Sequence, residues 1–211
     1  MLKVLQHPLI THKLTQMRKK ETGTKDFRQN LDEIAGLMAY EISRDFPLQP
    51  VEIETPVAKT TTYELAKEIV LVPILRAGLG MVNGICDLIP TVKIAHVGLY
   101  RDEETLEPHT YFEKYPKEVK DAIVMIVDPM LATGSSLVLT YNALCEKGGT
   151  PARTHVAAVV ASEQGLDYAM KNMPRLTTTI WTAVVDEELT SRSYIVPGIG
   201  DAGDLAYGEK I

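Results

Sequence analysis

Residues Ile123-Val124-Met125-Ile126-Val127 form an uncharged run that ends in Asp128, and Thr133-Gly134-Ser135-Ser136 follow shortly after. From Leu137 to Lys147 the apolar residues recur at helical spacing. The spacing predicts a strand, a short loop of small residues and a helix. A helix N-terminus offers unpaired N–H groups and the positive end of the aligned peptide dipoles. Small residues let an anion approach that backbone, and the hydroxyls of Thr133, Ser135 and Ser136 add donors. The chemistry is that of a phosphate cradle. Asp128 at its mouth would repel phosphate, so it suits sugar hydroxyls, bound directly or through a metal-bound water. No lysine follows the glycine and the three-glycine spacing is missing, so this is neither a P-loop nor a dinucleotide fingerprint.

Two arginines stand at comparable places. Arg76 follows the apolar Val72-Pro73-Ile74-Leu75 and precedes Gly78 and Gly80, and Arg101 follows Gly98-Leu99-Tyr100. Each guanidinium presents a rigid fork of donors suited to phosphoryl oxygens. Together with the hydroxyl loop they would hold a ligand with two separate phosphoryl groups. The run Tyr194 to Asp204 carries Pro197 and glycines 198, 200 and 203. Those residues predict irregular chain, neither helix nor strand, whose exposed backbone groups could read a flat heterocycle by its edge. His7, His12, His96, His109 and His155 show no metal-ligand spacing and no triad. His96 and His155 are expected in strand cores with their polar atoms satisfied, Trp181 in the core, and Asp186-Glu187-Glu188 as a solvated acidic turn.

These residues need a scaffold, and the sequence outlines one. Phe27 to Phe46, capped by Thr24 or Asp26 and stopped by Pro47 and Pro50, reads as a helix with Leu31, Ile34, Leu37, Met38 and Ile42 on one face. Val51 to Thr62 reads as an edge strand or hairpin arm. The runs 68–74, 92–99, 122–127, 154–161 and 179–185 are strand-length and nearly uncharged, as strands buried on both faces must be. Helical stretches 80–88, 135–147 and 164–173 alternate with them. The expectation is one α/β domain over residues 1–211: an open, mostly parallel, doubly wound sheet flanked by helices. The polar segment from Tyr100 to Val119, with Pro108 and Pro116, is long for a connection and reads as a lid hairpin or a solvated surface hairpin.

Composition narrows the function. The 211 residues carry 22 Lys plus Arg against 28 Asp plus Glu, a net charge of -6. That opposes a general nucleic-acid-coating role, which needs a broad basic face. Cys86 and Cys145 read as reduced, packed thiols. The N-terminus lacks a signal-peptide pattern, and no apolar run nears the roughly 18 residues of a membrane span. A cytoplasmic protein is expected.

Taken together, the motifs resemble the uracil phosphoribosyltransferases. The loop from Val127 to Ser136 is similar to that family's phosphoribosyl pyrophosphate loop, including proline at 129. The segments from Pro73 to Met81 and Tyr100 to Pro108 resemble its two arginine segments. Tyr194 to Asp204 resembles its uracil loop, and His7-Pro8-Leu9, His12-Lys13-Leu14 and Tyr40-Glu41 its N-terminal region. The resemblance implies that Asp128, Pro129, Met130, Leu131, Ala132, Thr133, Gly134, Ser135 and Ser136 bind the ribose hydroxyls and 5-phosphate. It implies that Arg76 and Arg101 bind the diphosphate. Ile195, Gly200, Asp201 and Ala202 would bind uracil, with Asp201 also near the sugar donor. Asp128, Arg101 and Asp201 are the candidate catalytic residues. The expected products are UMP and diphosphate, the expected ion is Mg²⁺ carried mainly by the diphosphate, and a homodimer or homotetramer, with GTP as effector in some members, is implied. Ser135 replaces the family's usual glycine, Leu205 its usual Arg or Lys, and residues 186–193 depart from its usual pattern. The alternative is a nucleotide-sensing regulator on the same fold, which would want the basic face that this composition lacks.

Overall fold

The computed structural model describes residues 1–101 and 108–209, and of Arg101 and Pro108 the backbone alone. The chain opens with β1 (Leu2–Val4), α1 (Pro8–Arg18) and α2 (Thr24–Ser43), then a hairpin of β2 (Leu48–Glu54) and β3 (Lys59–Leu65). β4 (Ile69–Leu75) runs through a 3-10 turn (Ala77–Met81) into α3 (Val82–Leu88), and β5 (Lys93–Ile94), β6 (His96–Arg101) and β7 (Pro108–Lys114) follow. Next come β8 (Ile123–Val127), the short β9 (Met130–Leu131), α4 (Ser135–Gly148), β10 (Arg153–Ser162), α5 (Glu163–Asn172) and β11 (Thr178–Asp186). β12 (Glu188–Leu189), β13 (Ile195–Val196) and α6 (Ala202–Tyr207) complete it.

Among the described residues the main sheet has the order β1-β11-β10-β8-β4-β6-β7, with β5 beside β4 and β9 beside β10. All its pairings are parallel except β6 with β7. This is the doubly wound sheet the uncharged runs predict. The side chains alternate between two cores. Leu71, Met125, Val127, Ala157 and Trp181 join the face covered by α1 and α2. Val70, Val72, Val124, Ile126, Val156 and Ile180 join the face covered by α4 and α5. α2 is long because Phe27, Leu31, Ile34, Met38 and Ile42 all reach that first core. From β4 the chain winds to β6 on one side, and from β8 to β10 and β11 on the other. The winding direction therefore reverses between β4 and β8, and the crevice at their carboxyl ends is where such sheets take ligands.

The structure corrects some expectations and bears out others. α2 starts at Thr24, not Phe27, and is capped by Gly23 with no side-chain bond; Asp26 lies inside its first turn, where a negative charge meets the helix dipole. The 51–62 stretch is part of the β2–β3 hairpin, paired from Leu48↔Leu65 to Glu54↔Lys59. The 194–204 run is not wholly irregular: it contains β13 and the start of α6. The positive-φ glycines 198 and 200 lie before the helix, and the Asp201 carboxylate accepts the Asp204 N–H at 3.0 Å to cap it. His96 is only half-buried. His155 is fully buried and its Nδ1 accepts from the Trp181 indole at 3.1 Å, while Nε2 has no hydrogen-bond partner among the described residues. Cys86 and Cys145 are free thiols.

Candidate active site

At the end of β8 the Asp128 N–H donates to the Ala157 carbonyl (3.2 Å), and the Asp128 carboxylate accepts the Met130 N–H (3.2 Å). The loop is then stitched along β10: Val160 N–H donates to the Pro129 carbonyl, and Leu131 stands in register with Ala161. The Ser162 hydroxyl donates to the Ala132 carbonyl at 2.5 Å and accepts from Gly165 N–H at 2.8 Å. So β10 and the start of α5 fix the floor of the loop, Pro129 to Ala132. Gly134, with φ +78°, turns the chain into α4. The N-cap residue of α4 is Gly134, which has no side chain to cap it; Thr133 Oγ1 accepts the Ser135 N–H at a long 3.4 Å and lies 2.7 Å from the Ser135 hydroxyl at the helix mouth. Ser135 fits because it is the first helical residue and needs no positive φ. Behind the loop is a cavity of about 30 Å³ bounded by Ile74, Asp128, Ala132, Gly134 and Ser136. Asp128, Thr133, Gly134, Ser135 and Ser136 therefore come together as the spacing predicts.

The arginine turn after β4 lies against this loop. A Cβ on Gly78 would stand 2.6 Å from the Val127 carbonyl oxygen, so only glycine permits that approach. Arg76 reaches across to the C-terminal helix: its Nη2 pairs with Asp204 Oδ1 at 2.6 Å, and Nη1 donates to the Gly208 carbonyl at 3.3 Å. Asp204 in turn gives its N–H to Asp201. Spacing alone did not find Asp204; the Asp201-x-x-Asp204 pattern of a helix start was its available signal. Arg101 ends β6, next to β4 in the sheet and at the same carboxyl edge. Its side chain lies outside the described residues, as do residues 102–107 of the expected lid. The described remainder does form an antiparallel β6–β7 hairpin.

The third component is the bend between β13 and α6. Ile195 and Ala202 bury their side chains in the core, so they offer only backbone to a ligand. Gly198 (φ +58°) and Gly200 (φ +77°) bend the chain, and Leu205 packs beside Gly200. The expected solvated turn at 186–188 is wrong at its first residue. Asp186 is 6% exposed. Both its carboxylate oxygens accept from Arg18 Nη2 at 2.9 Å, and Oδ2 also accepts the Gly198 N–H at 2.9 Å. Glu187 and Glu188 are exposed.

The arrangement thus places a helix start, an arginine and a glycine-rich bend along one edge of the sheet. Comparisons with known proteins agree with that geometry. A family model described as uracil phosphoribosyltransferase matches residues 4–209. The uracil phosphoribosyltransferase of Limosilactobacillus fermentum is 52% identical over 208 residues, covering 98% of each chain, and that of Lactococcus lactis subsp. lactis is 50% identical over the same span. The structure of the AQ2163 protein from Aquifex aeolicus superposes over the whole of both chains with a TM-score of 0.93 at 35% identity. A hypoxanthine-guanine phosphoribosyltransferase from Bacillus anthracis shares the fold alone, with a TM-score of 0.50 at 13% identity over 77% of this chain and 80% of that one. With a family match over nearly its full length and the sheet-edge site in place, the chain belongs to the uracil phosphoribosyltransferase family.

Proposed function

We infer that this protein is a pentosyltransferase that joins uracil to the phosphoribosyl group of phosphoribosyl pyrophosphate, giving UMP and diphosphate. The observation that carries the residue assignment is the start of α4 behind Gly134, whose first amide meets Thr133 Oγ1 at a long 3.4 Å, with Asp128 on one side and, on the other, Arg76 paired with Asp204 just past the 195–202 bend. The amides of Gly134 to Ser136 and the Thr133 and Ser135 hydroxyls take the 5-phosphate, and Asp128 takes the ribose hydroxyls. Arg76 and Arg101 take the diphosphate, which requires Arg76 to share or exchange its bond to Asp204. Backbone groups from Ile195 to Ala202 read uracil; in cytosine the donor and acceptor at the 4-position and N3 are inverted, so such a reader rejects it. In the reaction N1 bonds to C1′, the C1′–O bond breaks with its electron pair on diphosphate, and the N1 proton passes to Asp201. Positioning and charge stabilisation on the leaving group account for most of the rate.

Mg²⁺ fits this donor set. It binds through one or two carboxylates plus substrate phosphates, and among the described residues no cluster of three or more ligating side chains competes for it. Asp128 and the diphosphate would hold it, and it would neutralise charge on the leaving group.

The oligomer is part of the proposal. The β2–β3 hairpin is exposed along both strands, with Leu48, Val57 and Tyr63 open; an isolated hairpin is marginal in water, and a second copy of the chain would cover it. A single domain, a cytoplasmic location and a GTP effector remain within the proposal too; no described helix is long and apolar enough to cross a membrane, and adding GTP to the assay tests the effector. The deciding experiment is UMP formation from uracil, phosphoribosyl pyrophosphate and Mg²⁺. Formation with uracil and not cytosine is expected, with Arg101→Ala lowering kcat/KM by about a hundred-fold. No UMP favours the regulator, and Arg101→Ala within a few-fold of the parent removes the diphosphate role.

A further inference from the structure

We propose that Arg18 and Asp186 are positioning residues for base recognition, so that the N-terminal helix sets the shape of the uracil bend without touching uracil. The proposal rests on the assignment of that bend as the base site. Asp186 ends β11, the strand that leads into the bend, and its carboxylate is almost wholly removed from water. Three hydrogen bonds satisfy it: two from Arg18, the last residue of α1, and one from the Gly198 N–H. Gly198 is the tightest point of the bend. Its φ is +58°, and a Cβ there would stand 2.2 Å from the Ile195 carbonyl oxygen. The Gly198 N–H donates to the buried Asp186 carboxylate, and the side chains of Ile195 and Ile199 are buried in the core. This inner anchoring occupies the Gly198 N–H and holds the remaining backbone of the 195–202 bend in place for a ligand.

The ion pair matters because of where it sits. An exposed pair contributes little. Here, removal of Arg18 would leave a buried carboxylate without its countercharge, which is strongly unfavourable. The carboxylate would then draw in water or turn outward, and Gly198 would lose its acceptor. The 195–202 backbone would no longer be preorganised, and uracil would have to order it on binding. The phosphate loop shares none of these bonds, because its supports come from β10 and Ser162. The effect should therefore fall on one substrate and spare the other.

The test uses the full chain with four variants, Arg18→Met, Arg18→Lys, Asp186→Asn and Asp186→Ala, and varies each substrate separately. UMP formation by the unsubstituted protein tests the underlying reading; the variants test the brace. Arg18→Met and Asp186→Ala are expected to raise KM for uracil at least about ten-fold, with KM for phosphoribosyl pyrophosphate within two-fold of the parent. Arg18→Lys, which keeps a cation, should recover part of the loss. Asp186→Asn keeps a carbonyl acceptor for Gly198 and should fall between the parent and Asp186→Ala. If Arg18→Met or Asp186→Ala fails to fold, Arg18→Lys and Asp186→Asn decide by the same split between substrates. Parallel increases in both KM values would show a general structural role and overturn the proposal, as would an unchanged KM for uracil.

Discussion

Gly134 is constrained twice. Its φ of +78° lies where a side chain is strained, and a Cβ would stand 2.7 Å from the Gly165 carbonyl oxygen. Gly134→Ala must therefore push the phosphate loop away from α5. The expected outcome is a loss of about 1–3 kcal/mol in stability and, because a displacement near 1 Å at a reacting centre is costly, a fall of about a hundred-fold in kcat/KM for phosphoribosyl pyrophosphate. Steady-state kinetics with that substrate varied, alongside a thermal melt, checks both. Ser135, one residue later, is a contrasting case. It has helical backbone and its hydroxyl is one of several donors assigned to the phosphate, so Ser135→Gly, which keeps the backbone amides and the Thr133 hydroxyl, should lower kcat/KM by a few-fold at most. At this scale the strand, short loop and helix of residues 123–147 were legible in the sequence, since an uncharged run, small residues and an amphipathic stretch follow one another there. Arg76 was legible as an arginine just past the end of β4 but not as the partner of Asp204, because that bond spans 128 positions and depends on where α6 docks. Asp186 was misread for the same reason. Among acidic neighbours it looks solvated, and only the return of α1 to the end of β11 buries it.

Elements decide how those residues are presented. The five uncharged runs became the strands β4, β6, β8, β10 and β11 because a parallel sheet covered on both faces admits no alternation of polar residues. The boundaries of α2 were off by three residues, since the cap is a bare glycine and carries no side-chain signal. α6 was hidden behind glycines that serve the bend before it. The β6–β7 hairpin has a local device of its own. At the irregularity between Gly98 and Leu99, the ring of Tyr111 lies over Gly98 so closely that a Cβ there would meet it at 2.5 Å. Gly98→Val should force the two strands apart at that point. If this hairpin carries the lid, the consequence is water entry at the activated sugar. The expected result is a higher ratio of phosphoribosyl pyrophosphate hydrolysis to UMP formation, measured in one reaction by release of diphosphate against UMP. An unchanged ratio would assign the hairpin a purely structural role.

Across the whole molecule, the sheet separates chemistry from stability. Every described component of the site stands at the carboxyl edge of the parallel strands, while the β2–β3 hairpin and the buried His155 serve other ends. Replacing residues 49–64 by a short turn should leave a monomer by sedimentation equilibrium if that hairpin joins two copies; an unchanged mass would place the interface elsewhere. His155 lies near the start of β10, packed against Trp181 and Phe46, with Arg153, Asp45 and Lys3 around it. Burial, and secondarily the charge of Arg153, holds its imidazole down at about 4, against 6.5 when unfolded. The unfolded chain therefore binds a proton that the folded chain refuses between those values. Stability from this residue is complete above pH 6.5 and declines as the pH falls toward 4, by about 3 kcal/mol in all. Asp45 and Glu33, held low by their lysine partners, add losses only at lower pH, and Asp32, pushed up by burial, acts in the opposite sense. Urea unfolding between pH 7 and 4.5 should show a slope approaching about 1.4 kcal/mol per pH unit, absent in His155→Gln, whose amide can still accept from Trp181. Because His155 lies away from the carboxyl edge, KM for either substrate should not change in that variant at pH 7, and a shift there would mean that the two ends of the sheet are coupled.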